Sequence, residues 1–120
     1  MDFVWATITV RNMEESLQFY QEVAGLRLNR RVRSNESTEL AFLGDGPTQI
    51  ELIHRSNGEP QGIGKGISLG FGVEDLDGMM LKIKELGLEI HEGPFAPNPH
   101  VRFFYVLDPN GLRIQFVERR

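Results

Sequence analysis

"VRNMEESLQFYQEVAGL", residues 10–26, returns in altered letters as "VEDLDGMMLKIKELGL", residues 73–88. Each stretch opens on Val, meets Asn or Asp two residues later, and closes on Gly-Leu. In the first, Asn12 is followed three residues on by Glu15. This is capping-box spacing, with Asn12 accepting from first-turn N–H groups and Glu15 reaching back. Met13, Leu17, Tyr20 and Ala24 recur at helical spacing, Phe19 and Val23 widen the apolar face, and Gly25 suits a C-terminal cap. In the second, Asp75 caps a helix whose apolar residues are Leu76, Met79, Met80, Ile83 and Leu86, ending at Gly87. Its methionines read as helix core.

Strand patterns surround both helices. Residues 3–10 alternate as a strand, and strand-like runs at 26–33, 38–43 and 48–54 follow the first helix. Gly44-Asp45-Gly46-Pro47 turns the chain between the last two. Around the second helix the runs are 67–73, then 88–92, 101–107 and 112–118, the last introduced by the turn Asp108-Pro109-Asn110-Gly111. Ile50-Glu51-Leu52 is echoed by Ile114-Gln115-Phe116, at nearly the same offset as the helices. The chain therefore reads βαβββ, linker, βαβββ. Repeats of this length pair to bury a core that neither could bury alone. The expectation is one α+β domain of 120 residues, with module 1 at 1–57, a linker at 58–66 and module 2 at 67–120.

The glycine-rich stretch "RSNGEPQGIGKG", residues 55–66, is not a phosphate loop, because Lys65 is followed by Gly66 and the glycine spacing fails. A net charge of -4 offers no basic stripe for nucleic acid, and the cluster Arg27, Arg30, Arg31 and Arg33 reads as a solvated strand edge. With no cysteine, disulfides, thiolate catalysis and zinc-finger chemistry are excluded. No apolar run approaches the roughly 20 residues that span a bilayer, and the N-terminus carries no basic, apolar leader. A cytoplasmic protein that engages neither nucleic acid nor membrane is expected.

A strand alternates its faces. Val4, Ala6, Ile8 and Val10 should meet the helix, which turns Phe3, Trp5, Thr7 and Thr9 to the other side. In the repeat, Ile67, Leu69, Phe71 and Val73 face the helix, and Ser68, Gly70 and Gly72 do not. Glu51 and Gln115 are the polar residues set between helix-facing neighbours in their strands. Positions 5, 51, 68 and 115 are thus two equivalent pairs on the sheet faces away from the helices. If the sheets curl, those faces form a cup with room over the glycines, and Val117, Ile53 and Trp5 favour a sheltered one.

The stretches "TITVRNMEESLQFYQEVAGLRLNRR", "IELIH", "GFGVEDLDGMMLKIKELGLEI" and "VLDPNGLRIQF" resemble the vicinal oxygen chelate superfamily, which groups glyoxalase I, bleomycin-resistance and fosfomycin-resistance proteins and extradiol dioxygenases. The resemblance implies two βαβββ modules whose sheets curl around a cavity, usually within a homodimer. Metal-dependent members commonly place His, Glu, His and Glu at four cup positions, which fall here on Trp5, Glu51, Ser68 and Gln115. Only Glu51 is kept, so no metal and no other cofactor is expected at that site.

The resemblance and these replacements together imply a bleomycin-resistance-like protein that binds a small organic ligand without metal. Trp5 and Phe3 would stack on it, Glu51 would accept from a donor or cation, and Ser68 and Gln115 would orient it. His100 and Arg102, at the start of "HVRFFYVL", are further ligand-binding candidates. The alternative is a glyoxalase-type lyase or isomerase with Glu51 as general base, with or without a divalent metal, and His100, Arg102 or Tyr105 stabilising an oxyanion. A metal held instead by Glu51 with His54 or His100 is a third reading, against which His54 has the opposite strand parity to Glu51. The residues leave binding and catalysis both open.

Overall fold

The computed structural model describes residues 1–58 and 62–120. Residues 59–61, within the expected linker, lie outside the described residues. Two compact units make up the chain, Met1–Gly62 and Ile63–Arg120.

The first unit runs β1 (Trp5–Thr9), α1 (Met13–Gln18), β2 (Leu28–Asn35), β3 (Thr38–Leu43) and β4 (Gln49–Arg55). Its sheet has the order β1-β4-β3-β2, with β1 parallel to β4 and the other pairs antiparallel. The second unit runs β5 (Ser68–Gly72), α2 (Leu76–Glu85), β6 (Glu92–Asn98), β7 (Val101–Leu107) and β8 (Arg113–Arg119). Its sheet repeats the plan as β5-β8-β7-β6, with β5 parallel to β8. Each unit is thus a βαβββ module, because a parallel pair needs a crossover and a helix supplies it.

Asn12 is extended, and its Oδ1 accepts from the Glu15 N–H at 3.0 Å. Only half of the expected capping box forms, since the Glu15 carboxylate turns instead towards Arg11, 3.7 Å away. Asp75 caps α2 in the same way, accepting from the Gly78 N–H at 3.1 Å. Gly87, at φ +76°, lets the chain reverse so that the Leu88 N–H donates to the Ile83 carbonyl at 3.0 Å. Gly25, at φ +70°, does the same for Leu26 and Tyr20 at 2.9 Å.

Further details depart from the sequence reading, and Val4 and Ile67, expected against the helices, are exposed. The first helix does not continue evenly to Gly25: after Gln18 it widens into a π turn, Phe19–Val23, closed by the Ala24 N–H on the Phe19 carbonyl. The wider turn lets Phe19, Tyr20 and Val23 all be buried. The strand expected at 88–92 forms instead at Glu92–Asn98. Pro94 has no N–H to give to a ladder, but β6 is an edge strand with register shifts on both sides of Phe95, where such a residue is tolerated. Leu86, expected on the apolar side of α2, is 41% exposed.

Both cores lie between helix and sheet. Ile8, Leu17, Tyr20, Leu43 and Leu52 fill the first, and Leu76, Ile83, Phe104, Ile114 and Phe116 fill the second. Burying each such side chain stabilises its unit by about 1.5–3 kcal/mol. Among the described residues, no helix is long and apolar enough to cross a membrane.

Candidate ligand-binding faces

In the first unit, Ala41, Leu43, Ile50 and Leu52 look towards the helix and are buried. The residues between them look the other way. Register pairs Arg30 with Phe42, Phe42 with Glu51, and Glu51 with Thr7, so these four form one row across the sheet. The Thr7 hydroxyl donates to Glu51 Oε1 at 2.6 Å, holding one carboxylate oxygen. Trp5, one step along the strand from Thr7 on the same face, meets the Phe42 ring edge-on at 5.7 Å. The Arg30 guanidinium sits 4.5 Å from the centre of the same ring. Trp5 remains 46% exposed and Phe3, just before β1, 68% exposed, so both aromatic surfaces are available to a ligand.

The second unit places Ser68 and Gln115 as the first places Trp5 and Glu51. Ser68 pairs with Arg113 and Gly70 with Gln115, matching Trp5 with Gln49 and Thr7 with Glu51. Gln115 lies along the sheet: its Nε2 donates to the Tyr105 hydroxyl at 3.2 Å, and its Oε1 would be 3.0 Å from a Cβ on residue 70. A glycine at 70 is what lets the amide lie flat. Arg113 stacks 4.1 Å over the Tyr105 ring and reaches Glu92 at 3.1 Å. Ser68 is exposed.

Two expected site residues stand apart from Gln115. Arg102 pairs in register with Glu118 and lies on the helix side of β7, 3.4 Å from Asp77 and 3.7 Å from Glu118. Its charge is used between α2 and β8. His100 belongs to the turn between β6 and β7, where its N–H donates to Asn98 and its carbonyl accepts from the Arg120 N–H. His54 pairs with Glu39, on the opposite face from Glu51. Thr7, Phe42, Arg30 and Arg113 received no site role from the sequence. Strand parity already put Thr7 on the right face, whereas the others needed the antiparallel register.

The residues at the four positions that the resemblance gives to a metal do not make a donor set. Trp5 has no ligating atom, one Glu51 oxygen is held by Thr7, Ser68 is a neutral hydroxyl, and Gln115 offers only a neutral amide oxygen. Among the described residues, no three His, Cys, Asp or Glu side chains gather as metal ligands.

A chain of two such modules, with these faces, matches the model of the glyoxalase/bleomycin resistance protein/dioxygenase superfamily over residues 2–116, and it belongs to that superfamily. Among its relatives, the uncharacterised protein YwbC of Bacillus subtilis is 34% identical over 117 residues, covering 93% of each chain. A lactoylglutathione lyase of Neisseria meningitidis is 31% identical over 128 residues, covering all of this chain and 92% of its own. The fold is also that of the glyoxalase I of Leishmania major, with a TM-score of 0.84 at 22% identity over 98% of this chain and 86% of that one.

Proposed function

We propose that this protein binds a small organic molecule on the sheet face that carries Trp5 and Glu51, by stacking and hydrogen bonding rather than through a metal. The observation that carries this reading is the Thr7–Glu51 hydrogen bond beside the Trp5–Phe42 pair. It fixes one carboxylate oxygen and leaves the other to accept from a ligand donor, with exposed aromatic surface alongside.

Trp5 is the chain's only tryptophan, so its emission reports directly on this face. Titration with a panel of aromatic and heteroaromatic compounds should shift or quench that emission saturably, and Phe42→Ala should weaken the response. A panel that leaves the emission unmoved would remove the support for this reading.

The lactoylglutathione lyase relative favours a second reading, a glyoxalase-type lyase with Glu51 as the base. Glu51→Gln separates the two. It should only weaken capture in a binder, while a proton-transfer enzyme should lose turnover by about 10²-fold or more.

A further inference from the structure

We propose that Arg30 makes this face selective for planar organic carboxylates, with Glu51 receiving a hydroxyl or amine at the other end of the molecule. The inference rests on the binding role proposed for this face and names the ligand chemistry. Three arginines of β2 have different fates. Arg31 is paired with both Glu39 and Glu14. Arg33 donates to the Glu36 carbonyl. Arg30 faces the other way, stacked over Phe42, and has no carboxylate or carbonyl partner among the described residues. A guanidinium lying over a ring satisfies its π surface but not its five N–H donors, whose fork matches a carboxylate in two parallel hydrogen bonds.

The row supplies the other half of the specification. Arg30 and Glu51 are separated by one strand, so their Cα atoms stand roughly 10 Å apart across Phe42. Phe42 is itself buried beneath Arg30 and Trp5, so a ring system stacked on the exposed Trp5 can direct an acid group to Arg30 and a donor to the free Glu51 oxygen. The opposite orientation would set carboxylate against carboxylate. The chain's net charge of -4 hides this local polarity.

The test compares 6-hydroxy-2-naphthoate with 2-naphthol by calorimetry, in wild type, Arg30→Gln and Arg33→Gln. Wild type should prefer the acid by about ten-fold, and the preference should shrink as salt is raised. Arg30→Gln should bring the affinity ratio close to one, while Arg33→Gln, which removes the same charge from the other face, should leave it. Equal affinities in wild type, or equal loss in both variants, would overturn the selectivity while leaving ligand binding standing. Failure of both probes to bind wild type would remove the binding reading and this inference together. Thermal melts of the variants confirm that each is folded when its ratio is read.

Discussion

Gln115 shows how much one position depends on a neighbour without a side chain. Its amide lies over Gly70 and reaches Tyr105. Gly70→Ala would put a Cβ 3.0 Å from Gln115 Oε1, at the free end of a flexible side chain. The amide should swing away, giving up about 1 kcal/mol of hydrogen bond while the chain gains a similar amount by losing backbone freedom. The expected result is a stability change under about 1 kcal/mol in urea unfolding, with Gln115 displaced in a crystal structure of the variant. A loss of several kcal/mol would mean that the amide is locked. The metal question also belongs at this scale, because it turns on donors rather than on fold. After exposure to nickel, zinc, manganese or iron and desalting, the protein should retain well under one metal per chain. Stoichiometric retention would show that other side chains complete a site.

Both helices begin at a side-chain cap, Asn12 for α1 and Asp75 for α2. Replacing either by Ala should cost about 1 kcal/mol, measured by denaturant midpoint. Helix α2 has a second, tertiary cap. Glu118, buried on β8, accepts from the Leu76 N–H at 2.9 Å and from Arg120 at 2.8 Å. The backbone bond first, and then Arg120, hold its carboxyl below the usual value of 4.5. Because the folded value is the lower one, this stabilisation is complete above the ordinary carboxylate range. It is lost as pH falls below that range and through the folded value. Glu39, lowered chiefly by Arg31, acts in the same direction. Glu118→Gln should therefore lower the melting temperature at neutral pH and flatten its fall below about pH 5. Superimposable acid limbs for variant and wild type would show that Glu118 contributes nothing to acid sensitivity.

At the scale of the molecule, two four-stranded mixed sheets each carry one helix and their own core. Leu52 and Ile114 occupy equivalent central strands and are both fully buried. Truncating either to Ala should cost about 2–5 kcal/mol by the same denaturant measurement. A loss under about 1 kcal/mol at either would mean that its core repacks readily. The burial that makes these strands stable also fixes their register, and register decides which side chains share the other face. Sliding β3 by one residue against β4 would turn Phe42 to the helix side and remove the ring on which Arg30 rests.

The alternation around Glu51 and Gln115, the caps at Asn12 and Asp75, and the repeat between the halves were legible in the letters, because periodicity and capping are local properties of the chain. Those letters determined the βαβββ pattern and put Trp5, Thr7 and Glu51 on one face. They misplaced β6, since a Gly-Pro pair looks like a turn until the strand is known to lie at an edge. They also offered Arg102 as a ligand contact, since its engagement with Asp77 and Glu118 joins residues 25 and 16 positions away. Only the tertiary structure set Arg30 over Phe42, Thr7 on Glu51 and Gln115 across Gly70. Each of those contacts depends on which strand lies beside which, and pairing between distant segments is decided by the burial of the whole sheet.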